Sequence, residues 1–555
     1  MRPAGSGRGP NTPEADAPKP DTPEADTPEA DAPEADVLIV GYGPIGQVLS
    51  ILLATRGWRV LVVERWETPY TLPRATSFDG ETARTLASLG VAGSYPEIGL
   101  PADAYDWRNA EGRSLLRVEL AERGVHGWPE TTTMHQPALE AVLCARAERL
   151  PNLRVLRGYA ATDLVDHGTG VELTTTDTAG GRLRCTASWV VGCDGANSFV
   201  RDHIGVRTTD LGFSFDWLLC DVVLHEPRVF SPLNVQHCDP DRPTTAVGSG
   251  PGRRRWEFMR LPGESVAELN RTETAWRLLE RFDVTPENAA LRRHTVYSFQ
   301  AAWADEWRRG RVLLAGDAAH LMPPFTGQGM CAGIRDVLNL SWKLDLVLRG
   351  AAGERLLDTY PRERIDHVRE AIDTSVRLGR VLCVTDAATA ASRDASLLAG
   401  VGADTGRGRQ HGAGPPLRTG LLYTGIGTTP VPPAGEVMPQ GRVRHEGVTG
   451  LFDEVVGTGP VLLGSADPAA ALEESQLTFL TGLGTPLVHM VAVDAEAAPG
   501  AVVDVDEVYL PLLKAARARF LLVRPDHHIY GAARTSRELT ALLGQFRSGL
   551  LERQG

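Results

Sequence analysis

No C-x-x-C pair occurs in this sequence, and its seven cysteines, at 144, 185, 193, 220, 238, 331 and 383, are odd in number. No apolar stretch follows the arginines of MRPAGSGRGP to make a targeting signal, so a reduced, cytoplasmic protein is expected. Long basic runs are also missing, and nucleic acid is not an expected partner. Uninterrupted apolar runs of membrane length are absent as well. The eighteen uncharged residues from Val37 to Ala54 are broken by Gly41, Gly43, Pro44 and Gly46, which favours a buried strand, a turn and a helix over stable membrane insertion. Neither G-x-S-x-G nor H-E-x-x-H occurs, which leaves hydrolase and zinc-protease chemistry without support. His237 stands beside Cys238 with no further ligand at metal spacing, so a strand pair and no metal site is expected.

What is present is an ordinary balance of 42% hydrophobic and 23% charged residues over 555 positions, long enough for two or three domains. The net charge of −13 is uneven, because residues 1–36 carry nine acids against three basic groups. From Thr12 to Asp36 five-residue units repeat as TPEAD, APKPD, TPEAD, TPEAD and APEAD. Proline alternating with carboxylates cannot build an apolar face, and a disordered tail is expected, an incidental extension rather than a docking tether. Residues 36–40 and 58–63 read as strands around a helix over about 44–56, which makes a βαβ unit. A helix is expected over about 135–150, and 188–192 and 311–315 are continuous apolar runs of the buried parallel type. Residues 213–300 alternate more, are interrupted by Pro227, Pro232, Pro240 and Pro243, and read as antiparallel sheet. Long helical patterns cover about 330–349 and 354–385. The glycine- and proline-rich stretch 398–418 marks a boundary, and 445–555 reads as a small α/β domain.

Three motifs carry chemistry. The first, Gly41-Tyr42-Gly43-Pro44-Ile45-Gly46, lies between the first strand and its helix. Gly41 permits the tight turn, Gly43 lets the backbone approach a pyrophosphate, and Gly46 lets helix and strand pack. Glu64, at the end of the second strand, is placed for an adenosine ribose. This fingerprint fits FAD and NAD equally. The second, Cys193-Asp194-Gly195-Ala196-Asn197-Ser198-Phe199-Val200-Arg201, follows the 188–192 strand. The third, Gly316-Asp317-Ala318-Ala319-His320 with Pro323, Pro324 and Gly327-Gln328-Gly329-Met330, follows 311–315. Acids at the C-terminal ends of parallel strands stand where open α/β sheets bind ligands. Asp317 is placed to accept hydrogen bonds from sugar-like hydroxyls, and the glycines let a helix N-terminus face developing negative charge.

In this order, GYGPIG, CDGANSFVR and GDAAHLMPPFTGQGMCAGIRDVLNLSWKL, the chain resembles the class A flavoprotein aromatic hydroxylases of the para-hydroxybenzoate hydroxylase fold. It is most similar to the branch of 3-(3-hydroxyphenyl)propionate hydroxylase and the aromatic polyketide hydroxylases. The resemblance covers about 37–390 and, less fully, the C-terminal part. It implies an α/β fold with a Rossmann-like FAD-binding domain (37–212 and 298–397) and a substrate-binding sheet (213–297). A linker (398–440) and a thioredoxin-like domain (441–555) follow. The last lacks cysteine and therefore dithiol chemistry, so a structural or dimer-forming role is expected, with a homodimer as one assembly. By resemblance Gly41, Gly43, Pro44, Gly46, Glu64 and Arg65 hold the ADP half of FAD, and Arg74 sits near its phosphates and ribose. Gln136 contacts the ribityl region, Asp317 its hydroxyls, and Gly327, Gly329 and Met330 present backbone to the flavin ring. Asp194 and Arg201 serve FAD and the nicotinamide cofactor. Where many members have asparagine after Met330, this chain has Cys331.

The reaction so implied is hydroxylation of a phenolic ring by NADH or NADPH and O2 through a C4a-hydroperoxyflavin, with the helix beginning near Met330 stabilising anionic reduced flavin. Baeyer–Villiger insertion, epoxidation, oxidative decarboxylation, or a non-catalytic FAD-binding role are the alternatives on the same motifs. A proton-transfer residue is expected but none is singled out. His320 reads as structural beside the FAD loop, His527 and His528 as a solvated turn, and Trp107, Trp128, Trp217 and Trp256 as core residues before pocket residues.

Overall fold

The structure, a computed structural model, describes residues 33–400, 414–495 and 499–552. Nearly all of the N-terminal repeat, and the centre of the glycine-rich stretch (401–413), lie outside the described residues.

Uninterrupted Val, Leu and Ile runs form a parallel sheet buried on both faces, as such runs should. Its strands run in the order Arg308–Arg309, Val312–Leu314, Arg182–Gly192, Glu34–Val40, Val60–Glu64 and Leu153–Arg157, the short first one antiparallel to its neighbour, and an antiparallel pair, Tyr159–Asp166 and Val171–Asp177, branches from Arg182–Gly192. The register sets the site. Val40 lies opposite Gly192, and Gly192 opposite Leu314, so the three motifs leave the sheet side by side at the C-terminal ends of neighbouring strands. The run at 188–192 is the end of a longer strand, because its N-terminal half pairs antiparallel with 171–177.

The second sheet runs in the order His320–Leu321, Ala289–Ala304, Thr208–Leu224, Arg253–Met259, Thr244–Gly248, Asn234–His237, Ala104–Arg108 and Ser114–Glu119. The antiparallel reading of 213–300 omitted several parts of this region. Two strands come from 104–119, joined through the parallel pair of Ala104–Arg108 with Asn234–His237, and a helix, Thr272–Glu280, buries Ala275, Leu278 and Leu279. The sheet has two distinct faces. Trp217, Leu219 and Met259 join the core of the parallel sheet. Leu218, Cys220, Val222, Trp256 and Phe258 pack outward with Ala275, Leu278 and Leu279. The third motif bridges both sheets, since Trp303 pairs with His320.

The long helices are Gly329–Leu348 and Thr359–Leu382, the latter preceded by a short 3-10 turn rather than starting near 354, and a further helix follows at Ala387–Gly400. Residues 414–440 hold no helix or strand, yet Leu417, Leu421, Leu422 and Met438 are buried, so this stretch packs rather than swings. The C-terminal part is a seven-stranded mixed sheet in which Val461–Gly464, Leu487–Val491 and Val502–Asp504 are parallel and the remaining pairs antiparallel. Trp342 and Leu346 of the helix Gly329–Leu348 enter its core beside Leu522 and Phe546.

Candidate active site

The turn Gly41–Gly46 is as tight as its glycines suggest. Gly41 has φ +99, and a Cβ there would stand 2.5 Å from the Cys193 carbonyl oxygen. A Cβ on Gly46 would stand 2.1 Å from the Gly41 oxygen. Gly43 faces open space, with no protein atom within 4 Å of a Cβ position. The helix Pro44–Thr55 starts here with proline in its first turn. The N–H groups of Gly43, Ile45 and Gly46 have no acceptor among the described residues, leaving a donor set at the positive end of a helix. Glu64 is fixed by backbone, its Oε2 accepting from Tyr42 N–H at 2.7 Å and its Oε1 from Trp66 N–H at 3.0 Å. Arg65 stacks over Trp66 at 5.3 Å.

The second motif turns on Asp194, which accepts from Ser198 Oγ at 2.5 Å and Val200 N–H at 3.0 Å. Burial holds its carboxyl above the ordinary range against those bonds. Arg201 ties this turn to the third motif by donating to Ala318 O at 3.3 Å and Ala196 O at 3.0 Å. Opposite, the loop at 73–75 is clamped. Gln136 Oε1 accepts from the N–H groups of Arg74 (2.9 Å) and Ala75 (2.7 Å). Arg255 donates to Arg74 O (2.7 Å) and Pro73 O (2.6 Å), and Arg293 to Pro73 O (3.1 Å). The Gln136 carbonyl therefore holds the backbone that carries Arg74, whose exposed side chain lies over Tyr70 at 5.4 Å.

In the third motif Asp317 is half-buried, and no group among the described residues donates to its carboxylate. Burial raises its pKa. His320 is engaged elsewhere. Its Nε2 lies 2.7 Å from Asp336 Oδ2, which also accepts Gly316 N–H at 3.1 Å, while Arg364 Nε donates to Oδ1 at 2.9 Å. Burial pushes Asp336 up, but His320 and Arg364 outweigh it and bring it to about 2. Its ring stacks on Trp307 at 5.3 Å, the structural place expected of it. Gly327 adopts φ +65 and leads into the helix Gly329–Leu348. The N–H groups of Gly329, Met330 and Cys331 have no acceptor among the described residues. This helix start is anchored by Arg335, which donates to Gln328 Oε1 (2.9 Å) and Glu81 (2.7 Å) and pairs with Asp79. Cys331 is buried, and burial pushes its thiol up to about 12.

Phe325 of the proline loop packs on the second sheet, with Trp217 at 5.8 Å, Phe213 at 6.1 Å and Phe299 at 6.3 Å between ring centres. Of the tryptophans, Trp217 joins this wall, Trp107 is buried, Trp128 meets Tyr95 at 5.2 Å, and Trp256 lies on the outward face. Among the described residues no group of three or more metal-ligating side chains comes together. His527 and His528 correct the expectation of a solvated turn, being 5% and 7% exposed. Met438 N–H donates to His527 O at 2.8 Å as the packed stretch 414–440 covers them, and burial lowers His527 to about 4.

The unfilled valences form a pattern: a donor set at Gly43–Gly46, a lone acceptor at Asp317, and a second donor set at Gly329–Cys331. A pyrophosphate, a polyol and a heteroaromatic carbonyl are the complementary groups, and FAD carries all three. Sequence reading missed Arg335, Asp336, Arg255 and Arg293, because their partners lie far away along the chain.

A family model described as FAD binding domain matches residues 34–375, and one described as HcaD C-terminal domain matches residues 435–549. The chain is 37% identical over 513 residues to a probable NADH-specific resorcinol 4-hydroxylase of Rhodococcus jostii, covering 91% of this chain and 93% of that protein. It is 34% identical over 461 residues to a 3-(3-hydroxy-phenyl)propionate/3-hydroxycinnamic acid hydroxylase of Mycolicibacterium smegmatis, covering 81% of each. Among solved structures it matches the flavin-dependent monooxygenase PieE in complex with FAD and substrate, with a TM-score of 0.74 at 21% identity, over 94% of this chain and 100% of that one. Aklavinone-11 hydroxylase with FAD and aklavinone gives 0.71 at 24%, over 94% and 100%. At these identities the structural likeness is one of fold.

Proposed function

Because this chain belongs to the FAD-binding-domain family of flavoprotein aromatic hydroxylases, we propose that it hydroxylates a small, single-ring phenol with NADH and O2. The protein is an FAD-dependent monooxygenase. Restriction to one ring and to NADH is supported by the two relatives, which are named for resorcinol with NADH and for 3-hydroxyphenyl propionate.

The residues take the following parts. Gly41, Gly43, Pro44 and Gly46 present the helix N-terminus to the pyrophosphate, while Glu64 and Arg65 border the adenosine. Arg74 stands by the phosphates on a loop fixed by Gln136. Asp317 accepts the ribityl hydroxyls. Gly327, Gly329 and Met330 offer backbone N–H and a positive helix end to the flavin ring. Asp194 and Arg201 shape the turn between the first and third motifs, where the nicotinamide cofactor also approaches. When bound, FAD supplies hydride acceptance from NADH and activation of O2 for transfer of one oxygen atom to the ring. The protein orients the phenol against that group and keeps water out with the wall of Phe213, Trp217, Phe299 and Phe325. We also place the protein in the cytoplasm, which its free cysteines support. Among the described residues no helix is long and apolar enough to cross a membrane.

The observation that carries this reading is the Asp317 carboxylate, which no described residue satisfies, together with the unfilled donor sets at the helix starts Gly43–Gly46 and Gly329–Cys331. The experiment is NADH oxidation by the holoenzyme, with resorcinol, 3-(3-hydroxyphenyl)propionate and 2-naphthol compared. Stimulation by one or both single-ring phenols, and weaker turnover with NADPH, is expected. If no phenol stimulates oxidation, the reading is wrong.

A further inference from the structure

One carboxylate on the inner face of the second sheet has a cation nearby but no hydrogen-bond donor among the described residues. Glu257 stands in the strand Arg253–Met259 between Trp256 and Phe258, both of which face outward. It therefore shares the inward face with Met259 and Arg255, and Arg255 reaches the backbone of Pro73 and Arg74 from there. Leu219 and Thr245 lie opposite it on the two neighbouring strands. Glu257 is 7% exposed, and no group among the described residues donates a hydrogen bond to it. The hydroxyls nearby are committed to Gln236, whose Oε1 accepts from Thr245 at 2.7 Å and from Tyr105 at 3.5 Å. The nearest cation, Arg255 Nη1, is 3.7 Å away and donates to Arg74 O instead. Asp221 already balances Arg255, and it faces Arg293 at 3.1 Å. On the same face, Arg293 Nη1 is a buried donor without an acceptor.

A buried carboxylate without a donor costs a protein stability, and such groups concentrate where a ligand completes them. An O–H group of a ligand on this face would supply the donor that the described residues do not. We propose that Glu257 is the acceptor of the substrate's phenolic proton. This rests on the phenol hydroxylase reading and names the proton-transfer residue that the sequence left open. In the step, the substrate O–H bond breaks and an O–H bond forms on the Glu257 carboxylate. The electron pair left on the phenolic oxygen conjugates into the ring and makes its carbons more nucleophilic toward the transferred oxygen. The proton returns to solvent with product release. Burial pushes the carboxyl above the ordinary range, with Asp221 acting in the same direction and Arg255 and Arg293 opposing. Tyr105 and Cys220 are the other titratable groups that feel its charge. A base must be ionised, so activity is present above this raised pKa and is lost as pH falls through it.

The test uses FAD-loaded wild type and Glu257→Gln. The first readout needs no turnover: the spectrum of bound 4-nitrophenol, at a pH just below the free probe's own pKa, where the free probe is mainly the neutral phenol. In wild type the proton passes to Glu257 and the phenolate band appears, whereas in Glu257→Gln, which cannot accept a proton, the bound probe stays neutral and the band is absent. The second is the pH profile with resorcinol. Glu257→Gln should lose about 100-fold or more in kcat together with the acidic limb, with KM changed less. Thermal stability should change little, because glutamine keeps the side chain's shape and Asp221 still balances Arg255. Identical probe spectra, or a variant that keeps wild-type kcat and its acidic limb, overturns the proposal. Wild type that shows the spectral effect but never oxidises NADH with a phenol supports the proton acceptor and counts against the hydroxylase reading alone.

Discussion

Asp194 and Asp317 occupy the same kind of position, just past the end of a buried parallel strand, yet they do different work. Asp194 gives both oxygens to its own turn, whereas Asp317 has none of its valences met by described residues. Asp317→Ala should therefore raise the FAD dissociation constant of the apoprotein by about 10- to 100-fold, the range for hydrogen bonds to a charged group. Fluorescence titration reads it, and melting of the apoprotein should be unchanged. Asp194→Ala should instead lower the melting temperature. Asp336 makes a pH prediction. Its folded pKa of about 2 is below the unfolded value of about 3.9. The stability it contributes is therefore present above about pH 4 and is lost as pH falls toward 2. Asp336→Asn should cost roughly 2–3 kcal/mol at neutral pH by urea unfolding and flatten the decline across that window. Asp317 could be picked from its motif because the spacing to the strand is local. Asp336, Arg335 and Glu257 could not, because what distinguishes them is the presence or absence of partners distant in sequence.

At the scale of elements, the helix Gly329–Leu348 connects the site to the rest of the molecule. It begins with three free N–H groups behind a left-handed Gly327 and ends with Trp342 and Leu346 in another core. Replacing Gly327 by valine forces a branched side chain into φ +65, which costs about 1–2 kcal/mol and should disturb this helix start. The flavin midpoint potential should fall by about 10–40 mV, the electrostatic reach of a helix terminus. An unchanged potential with intact FAD content would mean that this helix start does not stabilise the reduced flavin. Elements made of continuous apolar runs, such as 37–40 and 60–63, were legible because burial on both faces leaves a local pattern. The strands at 104–119 were not, because their place in the sheet is set by pairing with 234–237. The helix Ala387–Gly400 also escaped, with Ala390 its one buried residue.

Across the whole molecule, the C-terminal part is locked to the nucleotide-binding part by charge as well as by apolar packing. Lys343 and Arg524 both reach Glu363, at 2.7 and 2.6 Å, Arg524 also holds Asp526 at 2.5 Å, and all four side chains are buried. Removing one partner of a buried ionic cluster leaves charge uncompensated, so Glu363→Gln should lose about 3–5 kcal/mol by urea unfolding. Loss under 1 kcal/mol would mean that the apolar core alone joins the two parts. The family and its chemistry were readable from three motifs in order, and the level strand ends at Val40, Gly192 and Leu314 give the physical reason those motifs act together. In the proposed reaction one atom of O2 enters a phenolic ring. Turnover of resorcinol with NADH under isotopically heavy dioxygen tests it most directly. The expected product gains one heavy oxygen and keeps every carbon. A product labelled from water, a lost carbon, or NADH oxidation that yields only hydrogen peroxide would contradict it.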